Sequence, residues 1–398
     1  METSWLEEIR KRTKGVPFSS GRSNKAGRIT FDDLVFMPAQ LNTRPVDYFK
    51  EQIKSETIVG KKSQKPLKLK GPIIVGAMSF GALSKEAKIA LAMATTLSGS
   101  MANTGEGGML PSEREKAEKL IVQFSTGRFG INNEVLRQAD AVEIKIGQGA
   151  KPGSGGLLSK EKVTPEIAKI RNVPLGQDVH SPAYHFDIKD EKDLKKTVAR
   201  LRELTEGVPI IIKLGAGEIE KDIKIAVGAG PDIIAVDGLE GGTGAAPEVL
   251  LNEVGIPTIA ALARARRVLD EMGTEIELWI GGGFNKGGDI AKALALGADA
   301  VFISFPLLVA MGCLYCRLCY LGRCPKGVAS QDPELRKHFN VEEAARQVAQ
   351  FIQNCTEEVK MIAGAVGKND IHNLDLNSLR ALTTEMAQIS GAKIISSD

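Results

Sequence analysis

Hydrophobic residues in this chain gather into short runs separated by longer stretches of helical period. From residue 71 the runs fall at 73–76 (IIVG), 100–103 (SMAN), 121–124 (IVQF), 142–146 (VEIKI), 209–214 (PIIIKL), 232–236 (DIIAV), 277–280 (ELWI) and 299–304 (DAVFIS). Helical spacing is found between them at 85–97, 133–139, 191–204, 218–229, 259–271 and 286–296. Such alternation predicts parallel strands joined by crossover helices. Eight runs predict a closed α/β (β/α)₈ TIM barrel over residues 71–310, with an open doubly wound sheet as the alternative. The connection from 146 to 209 is long for a barrel, and loops of that length commonly carry function.

The flanks read differently. Residues 1–70 lack a strong period beyond a short helix at 5–14, and are expected to form an N-terminal arm or cap. Residues 341–362 place Ala345, Val348, Phe351, Ile352, Cys355, Val359 and Ile362 at helical spacing, which opens a C-terminal helical extension over 341–398. Residues 311–340 lie between barrel and extension as a cysteine-bearing loop.

Composition narrows the partners. The 398 residues are 43% hydrophobic with a formal net charge of +3, enough for a large core and too mild a charge to suggest nucleic acid. The basic stretch 60–70 (GKKSQKPLKLK) reads as a solvated face or, more sharply, as a dock for an acidic electron carrier. The first fourteen residues are charged throughout and do not resemble a signal peptide. The longest apolar run, 301–316, is broken by Pro306 and Gly312 and falls short of the ~20 residues that span a bilayer. A cytoplasmic protein without a membrane partner is expected.

Glycine at the strand ends suggests a ligand. In GGGFNKGGDIAKALALGADAVFIS, Gly281, Gly282 and Gly283 end the seventh run, and Gly287, Gly288 and Asp289 open a helix. Glycine admits close backbone approach, and a helix N-terminus favours an anion. Barrels of this kind often hold a phosphate after strands seven and eight, here near Gly283 and Ser304. The alternative is a plain glycine turn. Four further glycine loops, at 76–81, 103–108, 147–156 and 241–246, fall on the same rim. Together they suggest a flat ligand approached by backbone from several sides, such as an isoalloxazine ring.

Lys145 and Lys213 interrupt apolar strand runs, and a lysine there is costly unless it meets an anion. They are expected to face a flavin edge and a substrate carboxylate, or else to pair with Glu143 or Asp237. Glu106, in the loop NTGEGG, is an acid–base candidate or a solvated loop residue. The four histidines have no metal-ligand spacing, although HSPAYH at 180–185 could line the long loop. Cys313, Cys316, Cys319 and Cys324 make the run C-x₂-C-x₂-C-x₄-C-P, close to a ferredoxin ligand run and unlike the paired spacing of structural zinc. An iron–sulfur cluster near the phosphate-bearing rim is favoured over zinc or free thiols.

The segments GAMSFGALSKEA, NTGEGG, STGRFG, EIKIGQGAKPGSGG, KVTPEIAKIR, GGTGA, ALGADAVFIS and CPKGVASQDPELRKHF, in this order, resemble the FMN-binding synthase domain of the glutamate synthase large subunit. The resemblance covers most of residues 70–340. It implies an FMN-dependent oxidoreductase that reductively aminates 2-oxoglutarate to glutamate through 2-iminoglutarate, with electrons relayed by an iron–sulfur cluster. By position it implies cluster ligands Cys313, Cys319 and Cys324 of a 3Fe–4S centre. Cys316 is an addition that could supply a fourth ligand and make the cluster 4Fe–4S. Lys145, Gln148 and Arg171 match the 2-oxoglutarate-binding positions, Glu106 matches a motif glutamate, and Lys145, Glu106 and Lys213 are the catalytic candidates. FMN contacts are implied at Ala77, Met78, Ser79, Asn103, Ser125, Lys213, Gly241, Gly242, Thr243, Gly244, Gly282, Gly283 and Ser304. No cysteine precedes Cys313, so the family's glutaminase domain is not expected in this chain. A separate glutaminase subunit, a ferredoxin-like or NAD(P)H-oxidising electron donor and an oligomeric assembly are therefore expected. Alternatives are an N-methylglutamate synthase-type subunit, another FMN-barrel oxidoreductase, or a non-catalytic electron-transfer subunit.

Overall fold

The computed structural model of the chain describes residues 5–396. Eight parallel strands form one sheet: β1 (Ile73–Val75), β2 (Ala102–Asn103), β3 (Leu120–Phe124), β4 (Ala141–Lys145), β5 (Ile210–Gly215), β6 (Ile233–Asp237), β7 (Glu277–Gly281) and β8 (Ala300–Ile303). Their order is β1-β8-β7-β6-β5-β4-β3-β2, so each strand neighbours its sequence neighbours. The Val75 N–H donates to the Met101 carbonyl at 3.0 Å, which brings β1 against β2 and closes the barrel. Each of the eight runs read from the sequence supplies one strand.

Seven helices make the crossovers: α1 (Lys85–Ser98), α2 (Pro111–Lys116), α3 (Asn133–Arg137), α4 (Glu191–Leu204), α5 (Ile219–Ala229), α6 (Thr258–Glu271) and α7 (Gly287–Ala295). Side chains that tie back onto the backbone start several of them. Ser84 accepts from the Ala87 N–H, and Asp190 from the Asp193 N–H, so each helix begins with a satisfied donor.

Strand alternation decides what fills the barrel. Inward positions low in the strands are apolar: Ile74, Ile121, Ala141, Ile211, Ile233, Trp279 and Ala300 share one buried cluster. Trp279 and Phe302 meet edge to face at 5.3 Å. The antiparallel strands Thr57–Val59 and Leu67–Leu69 plug the lower end through Val59 and Leu69. Two or four residues further along, the same inward rows turn polar, with Gln123 on β3, Glu143 and Lys145 on β4, Lys213 on β5 and Asp237 on β6. Apolar layers thus close the barrel floor, and charged residues face its upper mouth.

The plug carries the basic stretch read from the sequence. Lys61 pairs with Asp299 (2.9 Å), Lys62 with Glu275 (2.5 Å), Lys65 with Glu206 (3.0 Å) and Lys68 with Glu56 (2.9 Å). The basic stretch 60–70 is matched by carboxylates of its own chain at the N-terminal ends of the strands, opposite the cysteine loop. Those pairings agree with a solvated, ion-paired face.

Past the barrel run α8 (Phe305–Ala310) and α9 (Val341–Ala365). The long helix buries Ala345, Val348, Ile352, Cys355 and Val359 against α1 and α7. Strand Leu379–Ala381 pairs with Leu34–Phe36 of the N-terminal segment, which ties the two chain flanks together. No helix among the described residues is long and apolar enough to cross a membrane.

Candidate functional site

A cavity of about 490 Å³ opens at the C-terminal ends of the strands. The loops after β1, β2, β4, β6, β7 and β8 all reach it, as does the cysteine loop. Its size suits a small-molecule ligand.

Lys145 and Lys213 are register partners on neighbouring strands and therefore lie side by side. Each draws its own carboxylate. Lys213 Nζ sits 3.0 Å from Asp237 Oδ2 and 5.0 Å from the centre of the Phe302 ring. Burial disfavours its charge, but Asp237 and Glu143 outweigh burial and hold the ammonium above the ordinary lysine value. Lys145 Nζ donates to Glu106 Oε2 at 2.8 Å. Burial opposes ionisation of Glu106, yet Lys145 and the Ser181 hydroxyl keep its pKa below the usual range. Its other oxygen, Oε1, is buried with no hydrogen-bond partner. A charged oxygen without a partner inside a cavity wall calls for a ligand, because leaving it bare is costly.

The 146–209 connection brings the remaining cations. Arg171, at the end of the short helix Pro165–Arg171, lines the cavity. Its Nε and Nη2 donate to the Phe80 carbonyl (3.1 and 2.6 Å) and Nη2 also to Ser79 Oγ (3.0 Å). The fork is therefore turned onto the β1 loop, and Nη1 is the nitrogen free to meet a ligand. Burial lowers its pKa to about 10. Gln148 lines the cavity from the glycine loop after β4. So does Lys151, which the sequence reading passed over as one residue among glycines. Lys151 is 7% exposed, and its sole hydrogen bond among the described residues is to the Ala245 carbonyl at 3.2 Å. Burial first, and then the neighbouring Lys145 charge, bring its pKa down to about 8, against the pull of Glu106.

HSPAYH does reach the site. Ser181 lines the cavity, and His185 Nε2 donates to the Lys145 carbonyl at 2.8 Å. Arg128, stacked 3.6 Å over Phe124, bonds both His185 and Asp187 and so ties this segment to the end of β3.

Among the positions tied to FMN by resemblance, Ala77, Met78, Ser79, Lys213, Gly241, Gly242, Thr243, Gly244, Gly282, Gly283 and Ser304 line the cavity. Gly282 and Gly283 have φ of +118° and +82°, a left-handed turn that only glycine makes freely. Asn103 and Ser125 lie elsewhere. Asn103 is buried between Glu143 and the Gly105 N–H, and the Ser125 carbonyl accepts from Arg128; neither lines the cavity. The helix start at Gly287 and Gly288, read as favouring an anion, is already taken. The Gly287 N–H already donates to the Glu358 carboxylate of α9 at 2.6 Å, so the start of α7 holds an anion of its own chain. The turn at Gly282 and Gly283, facing Ser304 and Asn285, is the remaining cradle.

Cys313 and Cys319 stand in the cavity wall, Cys324 is buried and Cys316 is exposed. The Tyr315 N–H points at Cys313 Sγ, 3.4 Å away. Burial, with Cys324 and Cys313 close by, pushes the Cys319 thiol up to about 11, while Lys162 pulls the other way. Among the described residues no three ligating side chains converge on a single ion. Cysteine thiolates are the ligands that iron–sulfur clusters take, so the donor chemistry of the loop is of the kind such a cluster needs. For the flavin, the donor set also fits: a backbone rim of glycines, a buried ammonium at Lys213, and a phosphate-sized turn beside Ser304.

Comparison with known proteins agrees with this geometry. A family model described as a conserved region in glutamate synthase matches residues 23–369. A glutamate synthase large subunit-like protein of Rhizobium meliloti (strain 1021) is 39% identical over 97% of this chain and 92% of its own length. An archaeal-type glutamate synthase [NADPH] of Thermotoga neapolitana is also 39% identical, over 91% of this chain and 76% of its own. Among solved structures, a mandelate oxidase with an FMN adduct superposes with a TM-score of 0.56 at 17% identity, covering 92% of this chain and 96% of that one; this likeness is one of fold.

Proposed function

The chain belongs to the glutamate synthase family, and from that premise we propose that it is the synthase subunit of a glutamate synthase-like oxidoreductase. The reaction is reductive amination of 2-oxoglutarate to glutamate by way of 2-iminoglutarate. Bound FMN would supply the two-electron reductant, and an iron–sulfur cluster on Cys313, Cys319 and Cys324 the one-electron relay. The single observation that carries this reading is the meeting of Lys145, Lys151, Gln148, Arg171 and Glu106 in the cavity that the glycine loops and cysteines also line.

The residues divide the work by charge. Lys145, Lys151 and Arg171 make one wall cationic, as a dicarboxylate requires. Gln148 can donate to a keto or imine group. Glu106, ionised and with Oε1 unpartnered, can take a proton from the incoming ammonia nitrogen and return one as the carbonyl oxygen leaves as water. His185 fixes the end of β4 and so keeps Lys145 in line with Glu106. Lys213, held cationic beside Asp237, would stabilise negative charge on the flavin ring. Ammonia would come from a separate glutaminase subunit, and electrons from a ferredoxin-like or NAD(P)H-oxidising partner. A cytoplasmic setting would keep the thiols reduced.

The test is anaerobic purification with assays of flavin, iron and sulfide, followed by chemical reduction of the flavin. Adding 2-oxoglutarate and ammonium should reoxidise the flavin and yield glutamate in step. Methylamine with glutamate, run in parallel and assayed for N-methylglutamate, should give no product. A reduced flavin that persists with 2-oxoglutarate and ammonium would overturn the proposal.

A further inference from the structure

The N-terminal segment does more than cover the barrel. Strand Phe18–Gly21 runs antiparallel to Thr243–Pro247, the strand that continues the glycine loop after β6. Its register is Phe18 with Pro247, Ser19 with Ala246 and Gly21 with Thr243, irregular at Ser20. That irregularity turns Ser20 inward. Its hydroxyl is buried, donates to the Gly244 carbonyl at 2.7 Å and accepts from the Tyr320 N–H at 2.9 Å. One serine therefore fastens this strand both to the glycine loop and to the cysteine loop. Gly21 follows at φ +115°, with its carbonyl against Gly242, and the chain then delivers Arg22 to the cavity wall.

Arg22 differs from every other cation there. Lys145 is paired with Glu106 and Lys213 with Asp237. Arg171 is bonded to Phe80 and Ser79, Lys151 to Ala245, Lys162 to Ala82 and Cys319, and Arg317 to Tyr315. Arg22, partly buried, has no hydrogen bond or ion pair with any described residue. A guanidinium offers five donors in a fixed fork that matches an oxyanion. It also stands one residue before the stretch that matches the family model.

We propose that Arg22 is an oxyanion-binding residue of the cavity, delivered by the N-terminal strand and held in place through Ser20. The anion is either the phosphate of the flavin or a carboxylate of the keto acid, and the proposal rests on the function argued above. The experiment uses the full chain, its Arg22→Gln variant and its Arg22→Lys variant, each stripped of flavin and checked for unchanged thermal unfolding. FMN and riboflavin are titrated by quenching of flavin fluorescence, and 2-oxoglutarate by its perturbation of the bound-flavin spectrum. If Arg22 holds the phosphate, Arg22→Gln weakens FMN by roughly tenfold or more and leaves riboflavin unchanged, with Arg22→Lys in between. If it holds the carboxylate, FMN is unaffected and 2-oxoglutarate weakens by a similar factor. All three titrations within about twofold of the parent would overturn the proposal. A parent chain that binds neither flavin would instead defeat the functional reading, before the variants are compared.

Discussion

Lys145 Nζ stands 2.8 Å from Glu106 Oε2, and the second oxygen of that carboxylate is buried without a partner. The pair joins β4 to the loop after β2 and leaves one ionised oxygen buried in the wall of the cavity where substrate would sit. Glu106 adds negative charge near a dicarboxylate, so it should not help binding. Its contribution should lie in proton transfer. Glu106→Gln keeps the shape and removes the base. We expect kcat to fall by roughly 10²-fold or more, with KM for 2-oxoglutarate and flavin content little changed. Steady-state kinetics with a chemical reductant measures this, and an unchanged kcat would remove Glu106 from the chemistry.

Lys151 should impose a pH dependence on substrate binding. Burial and the Lys145 charge bring its pKa down to about 8. Below pH 8 it is cationic and attracts a carboxylate; above pH 8 it is neutral. KM for 2-oxoglutarate should therefore rise as pH passes upward through about 8. The stability sign is opposite. An unfolded lysine titrates near ~10.4, so between pH 8 and that value the unfolded chain binds the proton more tightly, and stability rises with pH across this window. A bound dicarboxylate raises the Lys151 pKa, so binding near pH 8 should take up a proton. Calorimetry in two buffers of different ionisation enthalpy detects that uptake. Lys151→Gln should abolish it and raise KM at pH 7 by about tenfold.

The barrel was legible because its signal is local. Each strand is a short apolar run, and Lys145 and Lys213 stood out because a charge inside such a run needs a reason. Contacts between distant parts of the chain were not legible. The start of α7 looked open to an anion because nothing in GGFNKGGD reveals that Glu358, on a helix 71 residues later, already bonds Gly287. Lys151 was hidden in a loop noticed only for its glycines, although a lysine four residues after the strand-end Gly147 could have drawn notice. Arg22 gave no signal, since its position depends on Ser20 meeting residues 244 and 320. Arg171 was legible as a residue of the site and not as to which way its guanidinium turns.

Lys88 and Glu113 test the support beneath the cavity. Both are 1% exposed and pair at 2.8 Å. Lys88 Nζ also donates to the carbonyls of Met78, Asn103 and Thr104, at 2.6, 2.8 and 3.2 Å, and so binds together the loops after β1 and β2. Burial raises the pKa of Glu113 against the pull of Lys88. Lys88→Met would strand a buried carboxyl and three carbonyls, and should cost about 3–5 kcal/mol. Glu113→Gln keeps an acceptor for Lys88 and should cost only about 1 kcal/mol. Denaturant unfolding separates them, and equal losses would show that the ion pair, and not the carbonyl triad, is what Lys88 serves.

The cysteine loop yields the last expectation. Cys313 and Cys319 stand in the cavity wall and Cys324 is buried, whereas Cys316 is exposed between Tyr315 and Arg317, both at positive φ. Those two left-handed residues leave Cys316 open to solvent, and its thiol acts on Cys313 and Cys319 more weakly than that of Cys324 does. An inorganic core held by the inner three would carry three irons. Serine at 313, 319 or 324 should each empty the site of iron and sulfide. Cys316→Ser should keep about three irons per flavin and the paramagnetic signal of the parent. Iron and sulfide assays with electron paramagnetic resonance decide it. If Cys316→Ser instead loses one iron of four or changes the signal, the loop closes over the metal and all four cysteines are ligands. Chelation after oxidation offers a second check, because removing the core should leave flavin binding at the glycine rim intact while ending electron entry from an external carrier.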